Sequence, residues 1–587
     1  NIYFHASLIL LNINIFRKDY KVIMKKIVEC VPNISEGNDQ SVINKIVETV
    51  EKYPGIKLLN VDPGKATNRT VITFVGDADI IVDAAFKLIS KAKELIDMRK
   101  HIGEHPRMGA VDVCPLIPIS GISMEETVDL AHKLSERVGN ELSIPVYCYE
   151  YAAKEDKRKN LANCRSGEYE GLENKFKDSL WKPDYGPSKF NDEVKKSGAT
   201  AISARDFLVA YNVNLNTTST RRANAVAFDL REAGRIKREG GKLTGKIIKD
   251  KKGNPKRTPG YFKNLKGIGW FIDEYGIAQI SYNITNINTT PLHEVFDKTC
   301  ERAQIRGMRV TGSELIGLVP KKVLIEAGKY FLTKQKRSNA IPDSEIIHIA
   351  VKSLGLDELA PFDPKTRIIE YMIDEKNRGL SKKSLVDFAN ITSSESPAPG
   401  GGSISAYSGA LAASLAVMVA NLSAHKRGWD DKWEFFSKIG EKGMKIQSQL
   451  IDLVDEDTEA FNSIMNAYSL PKDTDEEKQI RIKHIQNATK NAIEVPFKIM
   501  EVSYKSIEII KKMAMKGNPN SITDIGVAMH CAKAAINGGF LNVRINCNDL
   551  DDKVFVEKIL SKGDKIIEKT NLEETKILAI VDKILSS

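Results

Sequence analysis

The sequence has little that points to a disulfide framework, a metal site or a bound nucleotide. Its seven cysteines are scattered, odd in number and without a CxxC pair: Cys30, Cys114, Cys148, Cys164, Cys300, Cys531 and Cys547. That pattern predicts a reducing, cytoplasmic compartment and no zinc ribbon. A GxxxxGK[ST] P-loop is missing and no convincing GxGxxG occurs, so we expect no nucleotide cofactor. No metal site is visible in the sequence either, and we expect no metal.

The excess of positive over negative charge is also small. Across 587 residues, 87 Lys and Arg stand against 77 Asp and Glu, a formal net charge of +10. This surplus favours anionic ligands but does not by itself indicate a nucleic-acid partner, and we expect none. The chain is too long for a single hydrophobic core, so its length predicts several domains.

The beginning of the sequence is short of what a targeting or membrane segment needs. Its apolar run, Leu8–Ile15, is too short to cross a bilayer, and no small-residue cleavage site follows it. Strand-like sequence starts just after Met24. We therefore expect translation to start at Met24, residues 1–23 to lie upstream of the native chain, and no membrane insertion. A mitochondrial presequence is the weaker alternative, because the stretch has few Arg.

Two regions of alternating strand and helix patterns come next. The runs KIVECV, KLLNVD, RTVITFVG and PVYCYEY are rich in β-branched and aromatic residues and are separated by helical stretches. A similar series begins at Phe207 with FLVAYNVNL. The pattern predicts two α/β subdomains of the α+β sandwich type, over residues 24–206 and 207–373.

The last third of the chain has a different pattern. The polar stretch DEKNRGLS, residues 374–381, is typical of a linker. Beyond it the strand signal almost vanishes and long helical patterns continue to the end. We predict an all-α bundle over residues 382–587.

A basic insert interrupts the second α/β region. Residues Arg235–Lys266 contain twelve Lys or Arg and two acidic residues, with Gly-Gly and Asn-Pro as turn signals. The insert is either a solvated loop or an electrostatic funnel for a polyanionic part of a ligand.

The run HIGEHPRMGAVDVCP holds two histidines four residues apart, His101 and His105. On a helix they would suggest a metal pair. Pro106, however, moves His105 out of the α region, and Gly103 lies inside the would-be turn. The alternatives for His105 are therefore a structural hydrogen-bonded role or acid/base catalysis, with a metal hydrolase as a further reading.

This run, GEHPRMGAVDVCP from Gly103 to Pro115, resembles the active-site segment of formiminotransferases. ECVPNISEG, VDPGKATNRTVITFVG and DYGPS match the same family in order. The resemblance implies transfer of a formimino group from N-formiminoglutamate to N5 of tetrahydrofolate, with His105 as the acid/base. Arg69 and Arg107, by charge and proximity, are candidate clamps for the substrate carboxylates, or surface ion pairs.

By the same resemblance, the loop GPSKFNDEVKKSG contacts folate. Phe190 could stack on a ring of the ligand, and the lysines could meet glutamate carboxylates of a polyglutamylated folate. The candidate folate-binding residues are Gly186, Pro187, Ser188, Lys189, Phe190, Lys195, Lys196 and Gly198.

In the helical region, PAPGGGSISAYSGALAASL would let backbone approach a ligand, with Ser403 as the N-cap of an Ala-rich helix. A linker or a tight turn is the plain alternative, and a membrane span is disfavoured by interrupting polar residues. The helix QSQLIDLVDEDTEAFNSIMNAY carries an apolar stripe that includes Asp457; its apolar members are Leu450, Leu453, Val454, Phe461, Ile464, Met465 and Tyr468. A carboxylate there is either a buried structural group or a group whose desolvation raises its pKa for catalysis.

PAPGGGS, VDEDTEAF, GNPNSITDIGVA and NVRIN resemble the cyclodeaminase family, again in order. The resemblance implies that Asp457 shuttles protons while 5-formiminotetrahydrofolate closes to 5,10-methenyltetrahydrofolate and ammonia leaves. Candidate supporting residues are Ser403, Asp524, Asn542 and Asn546, and candidate folate-tail contacts are Arg481 and Lys483. Nearly the whole length of the chain thus resembles the formiminotransferase–cyclodeaminase family of histidine breakdown, whose members assemble as octamers. A non-catalytic folate-binding scaffold is the remaining alternative.

Overall fold

A computed structural model describes residues 26–64, 68–103, 106–241, 244–251, 253–373, 379–396 and 398–587. The predicted extension 1–23, the predicted catalytic His105 and linker residues 374–378 lie outside the described residues. Two compact units are present. The first runs to Val323 and takes in Leu356–Asp374, and the second holds Leu324–Gly355 and Glu375–Ser587.

The first unit contains the strands, which the alternating patterns led us to expect. They are β1 Ile27–Cys30, β2 Asn33–Ile34, β3 Lys57–Gly64, β4 Arg69–Asp77, β5 Val111–Ser120, β6 Val146–Glu150, β7 Thr200–Ala204, β8 Val209–Leu215, β9 Arg235–Ile236, β10 Arg257–Thr258, β11 Leu265–Ile272, β12 Ile277–Ile284 and β13 Val310–Ile316. Seven form a sheet in the order β1-β4-β2-β5-β7-β6, with β3 paired to β4, and four form a second sheet in the order β11-β12-β8-β13. The predicted pair of α/β subdomains is confirmed.

The helices follow the same order along the chain. In the first unit they are α1 Gln40–Glu51, α2 Ala78–Leu95, α3 Met124–Glu141, α4 Leu161–Arg165, α5 Leu172–Lys177, α6 Asp192–Ser197, α7 Thr220–Leu230 and α8 Leu292–Gln304, with α11 Pro364–Arg367 and α12 Ile369–Ile373. Helix α9 Lys321–Lys334 begins at the boundary, and α10 Asp343–Leu354 belongs to the second unit. The remaining helices are α13 Leu385–Thr392, α14 Gly401–Ala424, α15 Trp433–Tyr468, α16 Asp475–Lys516, α17 Ile522–Cys547 and α18 Lys553–Leu585.

The seven-stranded sheet has a hydrophobic core on one face and a mixed face on the other. Alternate residues such as Cys30, Ile72 and Phe74 pack with α1–α3. The opposite face buries Tyr147 and Tyr149 in a smaller core under the segment that includes α4 and α5. This second face also carries polar side chains, so it can orient reacting groups as well as contribute to packing.

The basic insert forms a hairpin in which β9 pairs with β10. Further bridges join Arg238 to Ile247 and Lys249 to Pro255. All lysines of the insert that the structure describes are exposed.

The second unit is helical, as predicted. Its core surrounds α14, whose buried face is made mostly of alanine, from Ala406 to Ala420. Small side chains let α15 and α17 approach this helix closely. By length and composition α14 could cross a membrane, yet 61% of its most apolar window is buried inside the unit.

The predicted apolar stripe on α15 is only partly correct. Leu450, Leu453 and Val454 are fully buried, but Met465 and Tyr468 are 53% and 48% exposed. The described residues at the end of α15 and the beginning of α16 are mostly exposed, so other helices do not cover this end of the stripe.

Candidate active sites

A cavity of about 480 Å³ lies in the first unit, beside the transferase motif. The residues lining it are His101, Ile102, Gly103, Arg107, Gly167, Glu168 and Glu170. Gly103 and Arg107 bracket the position of His105 in the sequence. Described residues 101–103 and 106–107 are not helical, as Gly103 and Pro106 led us to expect.

Arg107, a predicted carboxylate clamp, is buried among protein acceptors. Its Nη1 and Nη2 donate to the two carboxylate oxygens of Glu170 at 2.9 and 2.7 Å, and Nη1 also reaches Glu168 at 3.4 Å. The Arg107 guanidinium lowers the pKa of Glu170 through this bidentate pairing. Sequence reasoning did not find either glutamate, because they lie 61 and 63 residues from Arg107.

His101 uses both ring nitrogens within the protein. Its Nδ1 accepts from Nε of Arg107 at 3.2 Å, and its Nε2 lies 2.8 Å from the carbonyl oxygen of Asn68. A histidine bonded in this way orients Arg107 and has no nitrogen left for a metal. Among the residues described, no three His, Cys, Asp or Glu side chains gather as a metal site.

A buried ion pair connects the motif to the loop that carries the two glutamates. Asp112 is fully buried and accepts from Nη2 of Arg165 at 2.6 Å and from the Met108 N–H at 3.0 Å. It therefore ties the backbone next to Arg107 to the residue that ends α4. Sequence reasoning missed this pair, although Asp112 lies inside the recognised motif.

Arg69, the other predicted clamp, is the first residue of β4. Burial lowers its pKa, and its Nη2 donates to Oδ1 of Asn33 on β2. The carbonyl oxygen of its neighbour Asn68 contacts His101, so β4 begins near the same pocket wall.

The predicted folate loop is fixed at both ends by glycines that no other residue could replace without strain. Gly186 has a φ of +82° and Gly198 a φ of +68°. A β-carbon at Gly198 would lie 2.2 Å from the carbonyl oxygen of Met108, so this end of the loop abuts the transferase motif.

Within that loop the side chains have different environments. Phe190 is half-buried against Tyr169 and Phe176, with ring centroids 6.1 and 6.3 Å apart. Lys196 donates to the carbonyl oxygen of Glu94, and Lys195 pairs with Asp192. Pro187 is half-buried, and Ser188 and Lys189 are exposed. The structure therefore presents the exposed pair to solvent and uses the two later lysines in local contacts.

In the second unit, Asp457 and Ser403 meet although 54 residues separate them. The Ser403 hydroxyl lies 3.0 Å from Oδ2 of Asp457 and 3.1 Å from the Val454 carbonyl oxygen. Burial raises the pKa of Asp457, while hydrogen bonds from the hydroxyl and backbone N–H of Ser403 lower it. The prediction that Ser403 is the N-cap is wrong: Gly400 caps α14, and Ser403 lies inside its first turn, facing α15.

The neighbouring carboxylates on α15 have other roles. Asp455 accepts from the backbone N–H of Leu380 at 2.6 Å and from the Ser381 hydroxyl at 2.5 Å. It thereby fastens the end of the predicted linker to the helical unit. Glu459 is exposed.

Only part of the predicted supporting set gathers around Asp457. A β-carbon at Gly401 would lie 3.1 Å from Nδ2 of Asn542, which places that amide at the start of α14. Asn546 instead donates to the carbonyl oxygen of Ala492. Asp524 lies in the first turn of α17, about 27 Å along the helix from Asn542 at 1.5 Å per residue.

The two candidate folate-tail contacts lie at the exposed end where α15 is followed by α16. Arg481 donates through Nε and Nη2 to the carbonyl oxygen of Tyr468, closing the turn between the helices. Lys483 is exposed. Tyr468 is about 16 Å along α15 from Asp457, so a tail contact here requires an extended ligand.

Comparison with known proteins gives three family matches in succession. Residues 27–205 match the N-terminal subdomain of the formiminotransferase domain, residues 210–374 match the formiminotransferase domain, and residues 384–565 match formiminotransferase-cyclodeaminase.

Individual relatives agree with these matches. The formimidoyltransferase-cyclodeaminase of Rattus norvegicus is 39% identical over 561 residues, covering 95% of this chain and 99% of the rat protein. The glutamate formimidoyltransferase of Streptococcus pyogenes is 40% identical over 309 residues, 53% of this chain and 94% of its own. The methenyltetrahydrofolate cyclohydrolase of Methylorubrum extorquens is 35% identical over 199 residues, 34% of this chain and 96% of its own. With all three domains matched in order and nearly the whole length aligned, the chain belongs to the formiminotransferase-cyclodeaminase family.

Proposed function

We propose that this protein is a bifunctional folate enzyme. The first activity transfers the formimino group from N-formimino-L-glutamate to tetrahydrofolate, giving 5-formiminotetrahydrofolate and glutamate. The second closes this product to 5,10-methenyltetrahydrofolate and releases ammonia. The observation that carries the proposal is the family relationship over 95% of the chain, which joins a transferase and a cyclodeaminase in one protein.

In the transferase step, N5 of tetrahydrofolate must lose a proton and the departing glutamate nitrogen must gain one. His105 is the proposed proton carrier, because a neutral imidazole can accept and return a proton near neutral pH. Arg107 lines the proposed substrate pocket, Arg69 is proposed to act close to it at the start of β4, and the loop from Gly186 to Gly198 is proposed to receive the folate. Support comes from Gly198, which packs directly on the motif that contains Arg107.

In the cyclodeaminase step, Asp457 is the proposed acid/base. N10 attacks the formimino carbon and loses its proton, while the departing nitrogen gains protons and leaves as ammonia. The raised pKa of Asp457 suits a carboxyl that alternates between protonation states. Ser403 and Asn542 assist at the start of α14, Asp524 and Asn546 support the helices farther away, and Arg481 and Lys483 meet the folate tail.

The functional domains are proposed at residues 24–206, 207–373 and 382–587, with a linker at 374–381. The enzyme acts in histidine degradation in the cytoplasm and works as a homo-oligomer, by family resemblance an octamer. It needs neither metal nor nucleotide.

The test is incubation of the protein with N-formiminoglutamate and tetrahydrofolate, followed by absorbance of methenyltetrahydrofolate and release of glutamate and ammonia. His105→Ala should slow glutamate release by at least about a hundredfold, the usual scale for an acid/base group. The same variant should still convert supplied 5-formiminotetrahydrofolate. Wild-type glutamate release by His105→Ala would contradict its assignment, and absence of both activities in the unchanged protein would contradict the proposed function.

A further inference from the structure

The substrate cavity of the first unit contains one buried cation and two carboxylates. Arg107 makes five hydrogen bonds: to His101 Nδ1, to the His101 carbonyl oxygen, twice to Glu170 and once to Glu168. A guanidinium has five N–H hydrogens, so these bonds account for all of its donors. Arg107 can therefore take a substrate carboxylate only by giving up one of these partners.

The two carboxylates can accept further hydrogen bonds, whereas all the donors of Arg107 are already used. The side chain of Glu168 is 43% exposed and that of Glu170 is 63% exposed, whereas that of Arg107 is 9% exposed. Each carboxylate offers about four acceptor positions, and Arg107 uses one on Glu168 and two on Glu170. The cavity wall thus presents unused acceptors that are held in place by a buried cation.

The reacting group of the substrate is the chemical complement of such a wall. An N-formimino group is an amidine, a strong base that carries a proton in neutral water. The amidinium is planar and has N–H groups in a fork, as in a guanidinium, and it pairs with carboxylates in the same way. An arginine without carboxylate partners at this position would instead repel the positively charged amidinium.

We propose that Glu168 and Glu170 hold the formamidinium group of N-formiminoglutamate, and that Arg107 is a positioning residue that orients the two carboxylates. The assignment rests on the proposed transferase function. The retained positive charge makes the formimino carbon more electrophilic for N5 of tetrahydrofolate. When the new N5–carbon bond forms, the bond to the glutamate nitrogen breaks, and that nitrogen takes up the proton that N5 released.

The backbone of the loop supports this role. Gly167 has a φ of +86° and Glu168 a φ of +54°, which turns the chain back toward the motif. The Tyr169 N–H donates to the carbonyl oxygen of Arg107 at 2.9 Å, and the Tyr169 hydroxyl donates to that of Lys195 at 2.5 Å. The two glutamates therefore flank a residue that is bonded both to the transferase motif and to the predicted folate loop.

The test compares two ligands that differ in one charge. N-formiminoglutamate and N-formylglutamate have the same two carboxylates, but the formyl group is a neutral amide. Binding to the full chain is measured by calorimetry without folate. Glu168→Gln and Glu170→Gln should each weaken binding of N-formiminoglutamate by about tenfold to a hundredfold, the range for loss of a charged hydrogen bond. Binding of N-formylglutamate should stay the same or tighten.

Glu173→Gln is the matched control, since Glu173 is exposed on α5 and pairs with Lys177 outside the cavity. It should leave both affinities unchanged. Glu168→Gln is the cleaner variant because its contact with Arg107 is the longer one. Thermal unfolding of each variant, compared with that of the unchanged chain, verifies that the first unit is folded. Equal loss for both ligands, or no loss for either, would overturn the assignment. Unchanged protein that transfers no formimino group would count against the proposed function itself, while charge-selective binding would still be measurable.

Discussion

Gly402 and Asp457 are so close that a β-carbon on Gly402 would lie 2.0 Å from Oδ1 of Asp457. The glycine at the start of α14 therefore leaves the space that the carboxylate of α15 occupies. Asp457 owes its position to this missing side chain and to the Ser403 hydroxyl beside it.

Gly402→Ala should displace the Asp457 carboxylate and lower the cyclodeaminase rate by about a hundredfold, since a shift near 1 Å can cost that much. Glutamate release in the transferase step should persist. Gly526→Ala is the control, because a β-carbon there meets Val581 at an ordinary 3.5 Å. Equal effects of the two alanines on ammonia release would contradict the close-contact explanation.

Asp457→Asn keeps the size of the side chain but cannot titrate. We expect ammonia release to fall to background while glutamate release continues, so that 5-formiminotetrahydrofolate accumulates. Both products are measured on the same preparation, with the melting temperature as a test of folding. Loss of both activities together, or of neither, would mean that Asp457 is a structural group.

Ser403→Ala should change the pH dependence of the second step. The Ser403 hydroxyl lowers the pKa of Asp457, so its removal should raise that pKa further above its ordinary value. The acidic limb of the cyclodeaminase pH–rate profile, where Asp457 becomes protonated, should then move to higher pH. Ser405→Ala should leave the profile in place, because that hydroxyl donates to the Gly401 carbonyl oxygen. An unmoved limb in Ser403→Ala would contradict the hydrogen-bond assignment.

Glu29 is a buried residue of β1. Its burial raises the pKa of its carboxyl group to about 7. Because the folded-state pKa exceeds the ordinary value of 4.5, the folded protein is destabilised as pH rises through this interval. Glu29→Gln should therefore be more stable than the unchanged protein above pH 7, by up to about 3 kcal/mol, and the gain should shrink toward pH 5. Thermal unfolding across pH, with exposed Glu51→Gln as control, measures this. A gain that is independent of pH would exclude titration of Glu29 as its cause.

The basic hairpin between Arg235 and Lys266 should matter for polyglutamylated folate. Replacing exposed Lys246 and Lys249 with Gln should weaken the polyglutamate form more than the monoglutamate form, and the difference should shrink as salt is added, since screening acts within about 10 Å at 0.1 M. Exposed Lys45 and Lys133 provide a control pair with the same charge change. Equal weakening of both folates would leave the hairpin as a solvated loop.

Local pattern was enough to predict much of the architecture. β-Branched alternation identified β1, β3, β4, β6 and β8, and its disappearance marked the start of the helical unit. β5 was overlooked as a strand because its residues were interpreted only as part of the transferase motif. The stripe on α15 placed Asp457 correctly next to Val454 but extended too far, because periodicity does not reveal where the neighbouring helices stop.

The contacts of the two sites were not accessible in this way. Ser403 was expected to cap its own helix, since Ser is a good N-cap, but Gly400 takes that position and the Ser403 hydroxyl crosses to α15. Arg107 was expected to face substrate, and its partners on the loop at 168–170 were not identified. In each case the competing partner is more than 50 residues away.

The sequence by itself determined the order of two α/β subdomains and a helical bundle, and the residue types available for acid/base work. Those properties follow from local periodicity and from motifs read along the chain. The tertiary structure alone decided that Gly402 makes room for Asp457 and that Glu168 and Glu170 saturate Arg107. Such pairings depend on which helix faces and loops come into contact. The hydrophobic packing of whole elements decides those contacts, and no local sequence pattern encodes that packing.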